Sequence, residues 1–129
     1  MSIDYATAGD LLERYGRAWE TFDGDAWVGL FTEDAEYVVD PFEDAIVGHN
    51  PIRAYLLEAS RTQTQVEFTV ERHWVSGTTI LASWRAMHIR EGSDERVRIA
   101  GFLTMELTDG LVSRLRQWTH RRVAPGGTG

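Results

Sequence analysis

Residues Thr79–Val123, TILASWRAMHIREGSDERVRIAGFLTMELTDGLVSRLRQWTHRRV, decide the fold. Apolar and polar residues alternate here with a period of two, which is the pattern of half-buried strands. Glu91-Gly92-Ser93-Asp94 and Thr108-Asp109-Gly110 interrupt the alternation. Both read as hairpin turns, and Asp-Gly is the strongest short signal of that kind. The spacing predicts strands over Thr79–Arg90, Arg96–Leu107 and Leu111–Val123. A fourth, Gln65–Val75, precedes them across Ser76-Gly77. No connection is long enough for a helical crossover, so the four form an antiparallel meander. Strands of this length in so small a domain must curl, and a curled sheet covered by helices encloses a cavity.

Before residue 62 the period is 3.6. Ala8, Leu11, Leu12, Tyr15, Trp19 and Phe22 recur three or four apart, the apolar face of one helix. Thr7-Ala-Gly-Asp10 reads as its capping start, and Asp23-Gly24-Asp25 as its end. Asp25 is placed to cap a second short helix carrying Trp27, Leu30 and Phe31. Ala35–Asp40 reads as a strand that Pro41 terminates, followed by a loop to His49. Asn50-Pro51 then opens a helix with Ile52, Tyr55, Leu56 and Ala59 on its apolar side. The expected fold is α+β: a curved antiparallel sheet wrapped around N-terminal helices, a cone-shaped barrel with an internal pocket. One domain covers residues 1–123. The tail, residues 124–129 with Pro-Gly-Gly-Thr-Gly, is expected to be disordered.

Composition excludes several chemistries. The 129 residues contain no cysteine and no lysine; all 13 basic side chains are arginine. Thiolate nucleophiles, zinc ribbons, Schiff bases and a phosphate-binding P-loop lysine are therefore absent. The four histidines form no His-x-His or His-Glu-x-x-His motif, so no metal site is expected, and no glycine-rich nucleotide loop is present. A net charge of −7 argues against nucleic acid as a partner. The charge is uneven: residues 1–60 hold 13 acids and 3 arginines, whereas residues 61–129 hold 7 acids and 10 arginines. No run spans a bilayer and no leader opens the chain, so a cytoplasmic location is expected.

The element order and several local motifs resemble the SnoaL-like branch of the nuclear-transport-factor-2-like superfamily. The residues that carry the resemblance are Leu30-Phe31-Thr32-Glu33-Asp34-Ala35, Asp40-Pro41-Phe42, Gly48-His49-Asn50-Pro51-Ile52-Arg53-Ala54-Tyr55-Leu56, and Asp109-Gly110 before an Arg- and Trp-bearing strand. The superfamily includes isomerases, cyclases, dehydratases, epoxide hydrolases and non-catalytic binders, so the likeness specifies fold more than chemistry. Ketosteroid isomerases give the nearest local pattern. By that resemblance Tyr15 matches the catalytic tyrosine and Asp40 the proton-abstracting base, while Ala100 stands where the protonated acid belongs. The strand before Asp40 looks one residue long, which calls for a bulge to keep its aim. The epoxide-hydrolase reading fails, because Ile80, Ala82 and Gln117 stand where its charged residues belong.

The family register places Ile80, Ala82, Trp84, Ala86 and His88 inward on one strand. It places Ala100, Phe102 and Thr104 inward on the next, and Leu115, Gln117 and Thr119 inward on the last. The catalytic candidates are therefore Asp40, Tyr15 and His88, the one histidine of inward parity. Trp19, Trp84, Phe102, Thr104 and Gln117 are the substrate-binding candidates. Each has a structural alternative: a rim hydroxyl for Tyr15, a turn-forming Asp for Asp40, a satisfied core histidine for His88. Leu103, Met105, Leu107, Arg116, Trp118 and His120 fall on the outer face, an apolar strip expected to form a homodimer, as the resemblance also implies. The expected activity is cofactor-independent proton abstraction beside a carbonyl on a small hydrophobic or polycyclic substrate. The alternatives are a non-catalytic binder of a hydrophobic metabolite and a dimeric interaction module.

Overall fold

The computed structural model describes residues 2–125. Nine elements follow in order: α1 (Tyr5–Thr21), α2 (Gly24–Val28), β1 (Phe31–Val38), β2 (Ile46–Val47), α3 (His49–Ala59), β3 (Gln63–Ser76), β4 (Thr79–Arg90), β5 (Arg96–Thr108) and β6 (Leu111–Ala124). The six strands form one sheet in the order β2-β1-β6-β5-β4-β3. β3 to β6 are the expected meander, and β1 pairs parallel to β6. The edge strands β2 and β3 do not pair, so the sheet is an open curved one and not a closed barrel. The helices cover its concave side, and the core lies between them: Leu12, Trp27, Phe31, Ile52, Ile80, Leu103 and Leu115 are almost wholly inaccessible.

Several boundaries differ from expectation for local reasons. Asp4, not Thr7, caps α1, its carboxylate accepting from Thr7 N at 2.7 Å. Asp23, not Asp25, caps α2 through Ala26 N at 3.0 Å. Asp25 is instead paired with Arg53 of α3 at 2.6 Å. α3 starts two residues early, with Gly48 instead of Asn50 as cap, at φ 92° and with no side-chain capping bond, so Asn50 lies inside the first turn. The loop expected before His49 contains β2, which pairs with Glu36 and Tyr37. His49 is half-buried, its Nε2 2.9 Å from the Phe31 carbonyl oxygen. Ala124, assigned to the tail, pairs with Arg96 in the β5–β6 ladder; residues 126–129 lie outside the described residues. Among the described residues no helix is long and apolar enough to cross a membrane.

One register correction reverses a whole strand. Gly101 of β5 is the antiparallel partner of Trp84 of β4, and partners share a face. Trp84 points inward, so Val97, Ile99, Gly101, Leu103, Met105 and Leu107 point inward too. Ala100, Phe102 and Thr104 lie on the outer face. A slip of one residue moves every side chain of a strand to the other side. β4 keeps its expected parity, with Ile80, Ala82, Trp84, Ala86 and His88 all buried. β6 does likewise at Leu115 and Gln117.

Candidate functional site

The curl of the sheet over α1 and α3 leaves a cavity of about 100 Å³. Trp19, Trp27, Tyr37, Tyr55 and Trp84 make its walls, with Tyr15, Gln63, Gln117, Thr119 and Arg121 as the polar lining. About 150 Å³ accommodates benzene, so this smaller volume takes at most one ring or a short chain. A polycyclic substrate, as expected from the sequence, exceeds it.

The aromatic walls are set by packing contacts that begin at glycines. Gly101 lies under the Trp84 indole so closely that a Cβ there would clash with the ring. Gly16 of α1 gives the same close approach to Phe68. Phe68 in turn packs on Trp84 and Tyr15, with ring centroids 5.3 and 5.7 Å apart. Trp19 meets Trp84 edge-on at 5.9 Å and donates its indole N–H to Gln63 Oε1 at 2.9 Å. The indole nitrogens of Trp27 and Trp84 are buried with no hydrogen-bond partner among the described residues.

Tyr15, on α1, is 2 % exposed, and its hydroxyl lies 3.1 Å from that of Tyr37 on β1. Burial pushes both phenols well above the ordinary tyrosine range, so both stay protonated and neither serves as a base at neutral pH. Two hydroxyls that share one hydrogen bond use one proton between them. The second proton remains available to an acceptor. Tyr55 of α3 stacks near Tyr37 at 5.4 Å; burial raises it as well, while the Arg121 guanidinium acts in the opposite direction.

The structure does not bring Asp40 to this cavity. Tyr37 faces inward beside Leu115, so alternation turns Val39 into the lining and Asp40 out of it. Asp40 is exposed, and its Oδ1 accepts from Phe42 N at 2.9 Å, an Asx turn before Pro41. The irregularity anticipated before Asp40 occurs further upstream: the β1–β6 register shifts between Phe31 and Glu36. Ala100 is on the outer face, and its inward neighbours Ile99 and Gly101 carry no acid either. His88 is buried at 4 % exposure, neither ring nitrogen has a hydrogen-bond partner among the described residues, and burial holds its pKa below the usual histidine value. It does not line the cavity. Phe102 and Thr104 are outside it as described above, whereas Trp19, Trp84 and Gln117 line it.

Sequence reasoning missed Tyr37, Tyr55, Trp27, Gln63 and Arg121. Tyr37 was legible in principle, because Phe31, Ala35 and Tyr37 share one parity. The others come together only once α2, α3 and β6 converge. Among the described residues no group of three or more His, Cys, Asp or Glu is placed to hold a metal ion.

This architecture, a curved open sheet over N-terminal helices with an aromatic cavity, is the nuclear-transport-factor-2-like cone. Residues 12–115 match the SnoaL-like domain, and the chain belongs to that family. Among solved structures, a candidate isomerase from Bacillus subtilis superposes with a TM-score of 0.79 at 19% identity, covering 90% of this chain and 88% of the other. A candidate SnoaL-like polyketide cyclase from Jannaschia gives 0.78 at 19%, covering 88% and 85%. An LEH-like epoxide hydrolase from Mycobacterium tuberculosis gives 0.75 at 19%, covering 89% and 84%. No curated protein matches the sequence. At these identities the likeness is one of fold.

Proposed function

We propose that this SnoaL-like protein binds a small, largely apolar molecule bearing a carbonyl group, with the carbonyl oxygen accepting from the Tyr15–Tyr37 pair. The observation that carries the reading is that pair: two buried, protonated hydroxyls 3.1 Å apart at an aromatic cavity, with one proton uncommitted. A mostly apolar pocket with a few aimed polar groups is the usual composition of a small-molecule site. Binding, not proton abstraction, is the role these groups support. Among the described residues the cavity lining carries no carboxylate and no histidine, and Asp40 is engaged with its own turn. A donor pair without a base can hold a carbonyl or stabilise an enolate formed elsewhere; it cannot remove the proton.

Titration with benzaldehyde, followed by the fluorescence of Trp19, Trp27 and Trp84, tests the reading. Saturable quenching that Tyr15→Phe weakens about tenfold is expected, with Asp40→Asn unchanged. No saturable change with benzaldehyde or acetophenone overturns it. Exchange of the acetophenone methyl protons in deuterated water, lost in Asp40→Asn, would restore the isomerase-type mechanism.

We also propose that two copies pair through the outer sheet face. Trp74, Phe102 and Trp118 form a row across β3, β5 and β6 with centroids 6.3 and 6.5 Å apart. Arg72 and Arg116 stack over the two tryptophans at 5.2 and 5.0 Å. Both tryptophans remain well exposed in the single chain. Glu67, Glu71 and Glu106 share this face with the arginines, so a two-fold arrangement can set opposite charges together.

A further inference from the structure

We infer that the molecule held in the cavity is an anion, a single-ring aromatic carboxylate whose ring lies between the indoles and whose carboxylate pairs with Arg121. The inference rests on the binding role proposed above and adds the charge and orientation of the ligand.

The inward residues of β6 set the geometry. Leu115 stands beside Tyr37 in the β1–β6 ladder, and Gln117, Thr119 and Arg121 follow on the same face. Tyr15, Tyr37 and Arg121 line one cavity, and the Arg121 charge acts on the phenol of Tyr55, which packs 5.4 Å from Tyr37. Arg121 pairs across the ladder with Ile99, on the inner side of the sheet, whereas Arg122 pairs with Arg98 on the outer side. Arg122 thus cannot take its place.

Arg121 is also an uncommitted cation. Arg14, Arg17, Arg53, Arg61, Arg85 and Arg90 each have a carboxylate within ion-pair distance. Arg121 has none among the described residues, nor have Arg72, Arg96, Arg98, Arg114, Arg116 and Arg122, but of these seven only Arg121 lines the cavity. It lines a cavity without a single acidic group, in a chain whose net charge is −7. An anion reaching the mouth meets this guanidinium and no opposing carboxylate in the lining. One guanidinium presents parallel N–H donors that match one carboxylate. The cavity volume of about 100 Å³ limits the body of the ligand to one ring, which the flat indole and phenol faces fit.

The ring then orients itself. Its carboxylate remains at the partly hydrated mouth, where the cost of desolvation is smallest. An oxygen substituent at the far side of the ring reaches the Tyr15–Tyr37 pair. Thr119 and Gln117 lie along the edge between them.

Isothermal titration of the full chain with 4-formylbenzoate and with its neutral isostere 4-formylbenzamide tests this. The carboxylate is expected to bind at least about tenfold more tightly, a preference that falls as salt is raised. Arg121→Gln should abolish the preference by weakening the carboxylate far more than the amide, and Arg121→Lys should restore part of it. Arg121 is exposed, so these variants keep the fold, which an unchanged melting temperature checks. Equal affinity for the two probes, or a preference that survives Arg121→Gln, overturns the inference and leaves the binding role intact. Failure of both probes to bind overturns both.

Discussion

The Tyr15 and Tyr37 hydroxyls, 22 residues apart in sequence, lie 3.1 Å apart in the core and form one hydrogen bond between a helix and a strand. Tyr15 reaches the bond from α1 and Tyr37 from β1, so each hydroxyl depends on the other for its partner. Removing either one strands a buried polar group.

Tyr15→Phe and Tyr37→Phe should each destabilise the fold by ~1–2 kcal/mol, the cost of leaving the remaining hydroxyl without this partner. The double variant should cost less than the two singles combined, since no polar atom is then orphaned. Urea unfolding of the four proteins checks this. Strict additivity would show that the pair is not coupled.

Gly101→Ala forces a methyl group into the Trp84 indole, whose position defines a wall of the cavity. Overpacking of this kind costs ~1–3 kcal/mol and moves the ring. A lower melting temperature together with a shifted tryptophan emission spectrum is expected. A variant as stable as the parent would mean that the indole has room to move aside.

His88 makes stability depend on pH. Its folded-state pKa lies below the unfolded value, chiefly through burial, so the unfolded chain binds the extra proton more readily. The contribution of neutral His88 is complete above the unfolded pKa of about 6.5 and is lost as pH falls from there through the folded value. Denaturation midpoints measured between pH 7.5 and 5 should decline in the parent and decline less in His88→Phe. Parallel curves would place the pH dependence elsewhere.

Trp118→Glu puts a charge in the middle of the outer aromatic row, beside Phe102. Sedimentation should give a dimer for the parent and a monomer for this variant. An unchanged dimer would move the interface to another face.

Asp40→Asn should change little, because an amide oxygen can accept from Phe42 N as the carboxylate does. The expected stability loss is below ~1 kcal/mol, with ligand affinity unchanged. A large loss of affinity would place Asp40 at the cavity in the bound state.

The sequence by itself determined most of the elements, though not the short strand β2 or the placement of Phe31 at the start of β1. Period-two alternation with Asp109-Gly110 and Glu91-Gly92 turns specifies the meander, and the apolar stripe through Leu11, Leu12, Tyr15 and Trp19 specifies the first helix. These signals are local, because propensity, alternation and turn chemistry act over a few residues. The presence of a cavity was legible too, since long strands covered by helices must curl around something. Tertiary structure decided which side chains reach that cavity. Phe102 and Thr104 lie outside it because β5 takes its parity from the pairing of Gly101 with Trp84, a contact 17 residues apart in the chain. Asp40 turns away because Val39 follows Tyr37 into the interior and an Asx turn claims the carboxylate. Tyr37, Tyr55 and Arg121 come from a strand, a helix and the last strand, and only the curl of the sheet gathers them. A one-residue change of register costs a sequence reading nothing in pattern, yet it exchanges lining for surface.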